Sequence, residues 1–377
     1  MTGGGNVNNV HGIVYAYHAF PELKTLGARR TGAALPFCGR YRLIDFALSG
    51  MMHAGIRNVG VIMQRGYLSL MEHLSGGRSW NLERHNGGLH LLPPYGLSDA
   101  HKGSYEGGIE ALSAVYSYLQ NDIREEYILL TRGDLCANVD VRSVIDAHMQ
   151  SGADITAVCT DHEMLGQRHS FVPGENGFAA EMLSYQSGPG EGLASLEMYV
   201  LKRELLLDMV QWSREHNRLH FHQDAMTHVM DGGCRVGIFL HGGYAMHITS
   251  EEDYFRANMD MLDPDKRRSL FVPERRVLTR ARSDVATYYG DASCVKNSLI
   301  ADGCRIEGRV ENCILFGGVT VSAGAEVRDC VILNDTFIGE NARVRYVISD
   351  KNARLSPYLD LSGSQALPLV IPKGSEI

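Results

Sequence analysis

The stretch LFGGVTVSAGAEVRDCVIL, residues 315–333, repeats an aliphatic residue at every sixth position. The period continues in a shifted frame, and small turn residues such as Ala323-Gly324-Ala325 lie between the aliphatic positions. A six-residue period is the signature of hexapeptide β-helix repeats, each of which is one short strand and a turn. Evenly spaced β-hairpins are the alternative, but several repeats in about sixty residues favour the coil. The aliphatic positions are Leu315, Val321, Val327 and Leu333 in the first frame, and Ile332, Ile338 and Val344 in the second.

The residues before this repeat alternate short apolar runs with helix-like stretches. Residues 127–131 form a continuous apolar run of strand length, and residues 107–120 have helical periodicity. Such alternation indicates a parallel sheet covered by helices on both faces. Because ligands bind at the carboxyl ends of parallel strands, we expect chemistry in the loops after Ala16 and Thr131. We predict an α/β domain over residues 1–262, an arginine-rich linker over 263–285 and a β-helix domain over 286–377.

Charge and composition exclude several classes of protein. The 377 residues include 36 Lys and Arg against 44 Asp and Glu, a net charge of −8, whereas nucleic-acid and membrane-surface binders need a basic surface. No apolar run is long enough to span a bilayer, and the polar, Gly-rich first residues contain no secretory signal. Eight cysteines without C-x-x-C spacing are typical of reduced thiols. We therefore expect a cytoplasmic protein that binds neither nucleic acid nor membrane.

The segment PFCGRYRLIDFALS, residues 36–49, is the most distinctive motif of the first domain. Together with Gly133-Asp134, the segment 257–260 (ANMD) and the repeat, it resembles the ADP-glucose pyrophosphorylases (glucose-1-phosphate adenylyltransferases) of glycogen and starch synthesis. The resemblance covers nearly the whole chain. Residues 74–82 (LSGGRSWNL) look most like the GlgD type, the non-catalytic paralogue of the catalytic GlgC subunit. The resemblance implies a Rossmann-like, GT-A-like nucleotidyltransferase domain with a mainly parallel sheet, followed by a left-handed β-helix.

The loop after the first strand departs from the active members of this family. Their loop reads L-A-G-G-x-G-T-R-L and brings backbone N–H groups to a triphosphate, whereas residues 15–23 here read YAYHAFPEL. Tyr17, His18 and Phe20 replace the three glycines, and their side chains fill space where backbone must approach phosphate closely. Glu22 replaces the arginine and would repel a triphosphate. The resemblance therefore implies a degenerate nucleotide site.

Other positions of the active family are altered in the same chemical direction. Glu106 stands where the family's Y-R-G-T motif has arginine, and Gly32 stands where its R-A-K-P motif has lysine. The lysine of the family's sugar-phosphate E-K pair, which aligns near Ser184-Tyr185, is absent as well. Each exchange removes a cation, or adds an anion, where phosphate groups would bind.

The metal ligands of the active family are only partly retained in this sequence. Asp134 matches the first metal carboxylate of the family's G-D-H motif, but the second carboxylate falls near His247, and a neutral imidazole is a poor ligand for Mg²⁺. Asp134 could be a vestigial ligand, a working residue or an N-cap of the following turn, and we favour the structural role. We expect no metal or other cofactor on this chain, and Mg²⁺ on a catalytic partner only.

Arg30, Arg40 and Arg42 form a basic cluster in a chain that is acidic overall. Ordinary pairing with surface carboxylates would account for them. The resemblance implies another role, because this region of the active family helps to bind phosphorylated effectors, and the planar guanidinium suits phosphate. We predict that these arginines bind a phosphorylated sugar effector or transmit its signal.

Several lost groups in one site, all changed in the unfavourable direction, predict a chain without catalytic residues. The leading hypothesis is a regulatory subunit that joins a catalytic paralogue in a heterotetramer and alters its activity in glycogen biosynthesis. An active glucose-1-phosphate adenylyltransferase that uses substitute groups is one alternative. A stand-alone sensor that binds a sugar phosphate or a nucleotide is the other.

Overall fold

In the described part of the chain, one sheet of nine strands forms the centre of an α/β domain, and a parallel β-helix of five coils follows it. The coordinates are a computed structural model. The residues that it describes are 9–18, 20–64, 66–84, 87–94, 105–162, 164, 169–184 and 191–377.

The strands of the α/β domain, within the described residues, are β1 (Val10–Tyr15), β2 (Pro36–Phe37), β3 (Tyr41–Arg42), β4 (Val59–Ile62), β5 (Leu89–Leu92), β6 (Tyr127–Arg132), β7 (Leu135–Ala137), β8 (Ile155–Thr160), β9 (His169–Pro173), β10 (Ala179–Ser184), β11 (Leu193–Lys202), β12 (Val236–Leu240) and β13 (Ala245–His247). The large sheet is mainly parallel, as the apolar runs predict. β1 lies between β4 and β6 and is parallel to both, while β4 pairs in parallel with β5 and β8 with β12. β11 runs antiparallel between β6 and β8, and β9 and β10 extend the sheet beside it.

Helices cover both faces of this sheet, as predicted. The described helices are α1 (Lys24–Gly27), α2 (Ile44–Ala54), α3 (Leu68–Leu74), α4 (Gly108–Ala114), α5 (Tyr116–Asn121), α6 (Val141–Ser151), α7 (Arg203–Glu215), α8 (Thr227–Asp231), α9 (Glu251–Asp260) and α10 (Pro264–Leu270). α2, α3 and α6 share an apolar cluster with one face, and α4, α5 and α7 share another with the opposite face. The helical periodicity of residues 107–120 corresponds to two helices, because Val115 leaves the helical conformation and separates α4 from α5. None of the helices in this part of the chain is long and apolar enough for a membrane span.

The β-helix consists of three parallel sheets that wind into a coil, which confirms the reading of the six-residue period as one strand and turn per repeat. The inward side chains of Ile306, Val321 and Ile338 stack directly above one another and are fully buried. Leu333 lies outside this core, because the inward position after the preceding corner is Ile332. The strands, coil by coil, are β14 (Tyr288–Tyr289), β15 (Cys294–Lys296) and β16 (Leu299–Ile300); β17 (Arg305–Ile306), β18 (Arg309–Glu311) and β19 (Ile314–Leu315); β20 (Thr320–Val321), β21 (Glu326–Arg328) and β22 (Val331–Ile332); β23 (Phe337–Ile338), β24 (Arg343–Arg345) and β25 (Val347–Ser349); and β26 (Arg354–Leu355), β27 (Asp360–Ser362) and β28 (Leu369–Ile371).

One sheet of the β-helix packs against the α/β domain. Ile314 and Val331 point outward from this sheet and are fully buried in a cluster with Phe37 and Tyr254. The segment 263–285 includes α10 and contributes Leu270 and Val277 to the same cluster. The two folds therefore share a core, while the domain boundaries at 262 and 286 stay a prediction.

Candidate functional site

The loops after β1 and β6 lie side by side at the carboxyl ends of the strands. The N–H of Gly133, just after β6, donates to the carbonyl of Tyr15 at the end of β1 over 2.7 Å. Glu197 and the π-helical segment Phe221–Met226 contribute further walls, and π-helical turns frequently occur at functional sites. Together these elements surround a pocket of about 590 Å³, which we call the strand-end pocket.

Aromatic rings occupy the loop after β1. Tyr17 and Phe20 are buried, and the His18 ring stacks on both, with centroids 4.4 Å from Tyr17 and 5.8 Å from Phe20. Tyr105 packs edge-on against Tyr17 at 5.4 Å. Rings therefore fill the turn in which glycine backbone would approach a phosphate. That they prevent triphosphate binding stays a prediction.

The mouth of the strand-end pocket is acidic. Glu22 and Glu106 are exposed and line it. Among the lining residues that the structure describes, Arg132 is the one lysine or arginine, and its charge is already paired inside the site. Among the described lining residues, an incoming polyphosphate would therefore meet two exposed carboxylates and one arginine that is already paired.

Arg132, the last residue of β6, is the central residue that the sequence analysis missed. Its buried guanidinium donates from Nε and Nη2 to the two carboxylate oxygens of Asp134, over 2.8 and 3.0 Å. Its Nη1 donates to Glu197 over 3.0 Å. Burial by itself raises the pKa of both carboxyl groups, but the guanidinium outweighs burial and holds both pKa values below their usual range. One internal cation thus bridges two ionised carboxylates.

Glu197 reaches this bridge from an uncommon backbone conformation. Its φ is 52°, in the left-handed region that favours glycine, at a bulge where β11 changes register against β8. Its N–H donates to Ser195 Oγ over 3.0 Å. Such a conformation costs on the order of 1–3 kcal/mol and persists where surrounding contacts impose it. Two features of the sequence could have indicated this bridge. One is the isolated acidic residue in the apolar run of β11, and the other is the arginine at the end of the buried strand β6.

Asp134 has a structural role other than the one predicted. The interpretation as an N-cap is wrong, because strand β7 follows it and its carboxylate accepts from the Arg132 guanidinium instead of from a helix. Both oxygens are engaged and the side chain is 1% exposed. The bidentate contact leaves Asp134 as a charge partner within the protein.

His247, at the position expected for the second metal carboxylate, is a buried neighbour of this bridge. β13 pairs with β7, which places His247 opposite Leu135, the residue after Asp134. Its Nε2–H donates to the Ser195 carbonyl over 3.2 Å. Burial and the nearby Arg132 lower the pKa of His247 to about 4, and they lower that of His18 likewise to about 4. Both imidazoles are therefore neutral at physiological pH.

Magnesium does not fit these residues. Mg²⁺ requires oxygen ligands in near-octahedral geometry, whereas both Asp134 oxygens and one Glu197 oxygen accept from a guanidinium that would itself repel a divalent cation. His247 offers a neutral nitrogen where a carboxylate is expected. Within the described residues, no group of three or more His, Cys, Asp or Glu side chains could hold a metal ion.

The alignment near Ser184-Tyr185 falls at the end of β10, and Tyr185 lies outside the described residues. Ser184 Oγ lies 2.9 Å from His169 Nδ1, and the His169 ring stacks on His222 with centroids 3.8 Å apart. His222 Nε2 is 2.7 Å from the Tyr199 hydroxyl. Stacked imidazole rings of His169 and His222 therefore form this wall of the strand-end pocket.

The three arginines of the predicted effector site are not brought together. Arg30 is buried, and its Nη2 donates to both carboxylate oxygens of Asp350 in the β-helix, over 2.9 and 2.7 Å. Arg40 and Arg42 line a second pocket of about 640 Å³ between the α/β domain and the β-helix, which we call the interdomain pocket. Arg42 donates from Nη1 to the Ser69 carbonyl and hydroxyl, over 2.6 and 3.0 Å. Arg30 is absent from the lining of this pocket.

Cations from distant parts of the sequence complete the interdomain pocket. Burial, with the nearby charges of Arg42 and Arg30, lowers the pKa of Lys351 to about 8. Burial likewise lowers the pKa of Arg42 to about 10. Five cationic side chains and three acidic ones line this pocket among the described residues, so its lining is positively charged overall. The cationic lining residues are Arg40, Arg42, Arg280, Arg282 and Lys351, and the acidic ones are Glu72, Asp284 and Asp302.

Known proteins match this chain over nearly its whole length. It is 31% identical to the glycogen biosynthesis protein GlgD of Bacillus subtilis (strain 168), over 97% of this chain and 96% of the relative. It is 32% identical to the glycogen biosynthesis protein GlgD of Geobacillus stearothermophilus, over 98% and 97%. The chain belongs to the GlgD family.

Catalytic relatives of the GlgD family are also similar to this chain. It is 27% identical to the glucose-1-phosphate adenylyltransferase of Acetivibrio thermocellus, over 89% of this chain and 79% of the relative. Residues 22–167 match the nucleotidyl transferase family, and residues 284–363 match the GlmU-like C-terminal hexapeptide family. The resemblance is therefore confirmed, together with the fold that it implies: a nucleotidyltransferase domain followed by a left-handed β-helix. This GlgD-family chain is a member of the nucleotidyltransferase family of glycogen biosynthesis.

Proposed function

We propose that this chain is a regulatory, catalytically inactive subunit of ADP-glucose pyrophosphorylase, which converts glucose-1-phosphate and ATP to ADP-glucose and pyrophosphate. The observation that carries the proposal is the Arg132 guanidinium on Asp134 and Glu197. Attack of a sugar phosphate on the α-phosphate of ATP needs a metal ion to stabilise the attacking and leaving oxygens. In this chain the internal guanidinium satisfies both oxygens of Asp134, the carboxylate that matches the first metal ligand of the active family, and His247 stands near the position of the second.

The rest of the strand-end pocket supports the same proposal. Transition-state stabilisation in phosphoryl chemistry depends on donors and cations aimed at the developing charge. Glu22 and Glu106 carry the opposite sign at the mouth, and Tyr17 and His18 stack in the turn that would supply backbone donors. No described residue of the pocket other than Arg132 offers a permanent positive charge.

The proposed partner is a catalytic paralogue, with which this chain forms a heterotetramer in the cytoplasm. The identity to both GlgD proteins and glucose-1-phosphate adenylyltransferases over most of the chain supports a shared architecture. Subunits of one architecture can assemble through equivalent surfaces. The chain itself binds no cofactor in this proposal, and Mg²⁺ belongs to the paralogue.

The interdomain pocket is the proposed effector site, and a phosphorylated sugar is the proposed ligand. Arg40, Arg42 and Lys351 supply donors from both domains, and guanidinium groups match phosphate geometry. We assign Arg30 a positioning role: it holds Asp350, whose Oδ1 also accepts the Lys351 N–H over 2.7 Å. A ligand in this pocket would contact the α/β domain and the β-helix at once, and so could change their contact with a partner.

Assays of pyrophosphate release test the proposal. The purified chain alone should form no appreciable ADP-glucose, and adding it to a catalytic paralogue should change the paralogue's kcat or its effector response. Robust turnover by a homogeneous preparation, abolished by Asp134→Asn, would establish the active-enzyme alternative. Binding of a sugar phosphate or nucleotide without any effect on a paralogue would establish the sensor.

A further inference from the structure

Lys351 carries an amine without a carboxylate partner, in a pocket that otherwise collects guanidinium groups. It lies half-buried in the turn between β25 and β26 and lines the interdomain pocket. The adjacent Asp350 is already engaged, because both of its oxygens accept from Arg30 and its Oδ1 also accepts from the backbone N–H of Lys351. Within the described residues, the Lys351 ammonium itself forms no ion pair or hydrogen bond. The amine is therefore left without a counter-charge of its own.

The surroundings of Lys351 favour its unprotonated form. Burial, with the charges of Arg42 and Arg30, lowers the pKa of this amine to about 8, and Lys373 acts in the same direction. Asp350 acts in the opposite direction, but Arg30 shares its charge. Near neutral pH, a pKa of about 8 leaves about a fifth of the amine unprotonated, against about 0.1% for an ordinary lysine. Lysines activated by desolvation and neighbouring cations act as nucleophiles.

The same pocket supplies groups that bind a phosphate. Arg40 and Arg42 come from the α/β domain, and Arg280 comes from the segment 263–285. Planar guanidinium groups match the geometry of phosphate oxygens, and the volume of about 640 Å³ is that of a small-molecule site. In an acyl phosphate, a single oxygen atom separates the reactive carbonyl carbon from phosphorus. Binding of the phosphate to these arginines therefore brings the carbonyl into the pocket that Lys351 lines.

We propose that Lys351 is a site of lysine acylation and that an acyl phosphate is the acyl donor. The neutral Nζ attacks the carbonyl carbon, a C–N bond forms, and the C–O bond to the phosphate group breaks. Inorganic phosphate leaves with the electron pair of that bond, and the guanidinium groups stabilise its charge. The nitrogen releases its additional proton to water. No electron is transferred, and the step needs no co-reactant besides the acyl phosphate.

The modification removes the charge of one of the five cationic side chains that line the interdomain pocket. A phosphorylated ligand and the acyl donor compete for the same guanidinium groups, so the bound ligand protects Lys351, and the acylated pocket binds the ligand less tightly. This consequence for an effector response rests on the proposed function. The acylation itself depends only on the charges and the shape of the pocket.

Treatment of the purified full-length chain with acetyl phosphate tests the proposal, with the occupancy of each lysine measured by peptide mass spectrometry. We expect Lys351 to be acetylated at least tenfold faster than Lys202, an exposed lysine at the end of β11 that serves as the control in the same sample. The factor is smaller than the ratio of unprotonated fractions, because a less basic amine is also a weaker nucleophile. Inorganic phosphate should slow the reaction at Lys351 and leave that at Lys202 unchanged. Arg40→Gln, which removes an exposed guanidinium from the pocket, should also slow the reaction at Lys351 alone.

The N-hydroxysuccinimide ester of acetic acid, which carries no phosphate, separates positioning of the donor from activation of the amine. With this reagent the preference for Lys351 should be smaller and insensitive to inorganic phosphate. Equal acetylation of Lys351 and Lys202 by acetyl phosphate, or a preference that inorganic phosphate does not reduce, would overturn the proposal. An unchanged effector response of a mixed oligomer that carries acetylated Lys351 would contradict the proposed effector site, while the measured occupancy would still support the acylation.

Discussion

Removing the Arg132 side chain tests the account of the strand-end pocket most directly. In Arg132→Ala, Asp134 and Glu197 lose three charge-assisted hydrogen bonds, while their side chains stay in surroundings where they are only 1% and 10% exposed. Breaking a buried ion pair from one side costs about 3–5 kcal/mol, because an uncompensated charge remains. We expect a loss of that size in the free energy of unfolding near neutral pH.

The expected loss depends on pH in a defined direction. In the wild type, the folded pKa values of Asp134 and Glu197 lie below their unfolded values. Their ionised carboxylates therefore add to the free energy of unfolding above about pH 4, and this addition is lost as pH falls further. In Arg132→Ala, burial is unopposed and raises both pKa values above the unfolded ones. Proton uptake then relieves the buried charge, so the difference between variant and wild type should shrink at about pH 5.

The assay is guanidinium chloride denaturation followed by tryptophan fluorescence, since Trp80 is fully buried in the same domain. Arg142→Ala is the matched control, because it removes a partly exposed pair with Asp146 on α6 and should cost no more than about 0.5 kcal/mol. A loss below about 1 kcal/mol in Arg132→Ala, or an equal loss at both pH values, would refute the reasoning. A variant that also carries Asp134→Asn and Glu197→Gln should recover most of the stability, because no charge remains buried.

Restoring the loop with Tyr17→Gly, His18→Gly and Glu22→Arg should not give ADP-glucose synthesis in a pyrophosphate-release assay, because the internal guanidinium still holds both carboxylates. Activity at the level of a catalytic paralogue would contradict this. Arg42→Ala should raise the half-saturating effector concentration of the mixed oligomer tenfold or more, since charge-assisted hydrogen bonds to an anion contribute about 1.5–3 kcal/mol each. An unchanged titration with unchanged subunit association would assign Arg42 to ordinary pairing. The pKa of His247 is lower in the folded chain than in the unfolded chain, so only the unfolded chain gains a proton there as pH falls below about 6.5. Burial of the neutral imidazole therefore lowers the free energy of unfolding as pH falls from about 6.5 towards 4. His247→Asn should therefore flatten the fall of the unfolding free energy over that range, measured by denaturation at several pH values, and an unchanged slope would show that other groups control acid stability.

The features that sequence reasoning predicted are those with a local signal. The six-residue period specifies the coil, because each repeat contributes its own strand and turn. Chemistry was expected in the loops after β1 and β6, because ligands bind at the carboxyl ends of parallel strands, and these two loops lie side by side in the structure. Substitutions within a single loop, such as Tyr17 and His18, can be read directly from the residues.

The features that it missed depend on contacts between distant residues. Arg132 and Glu197 are 65 positions apart, and Arg30 and Asp350 are 320 apart, so no local pattern joins them. The sequence does not show that Asp134 pairs with Arg132, so an N-cap was a reasonable interpretation of its role. In the structure it accepts from the Arg132 guanidinium instead. The sequence likewise gives no indication that Lys351 and Arg42, which lie more than 300 positions apart, both line the interdomain pocket.

The bridge between Arg132, Asp134 and Glu197 makes the present state of this site hard to reverse in evolution. A lineage that lost the arginine alone would hold two buried anions without a counter-charge, and one that lost either acid would leave part of a buried cation unpaired. Each single loss therefore gives a less stable protein. Selection for a folded chain, acting without any selection on function, would work against such losses.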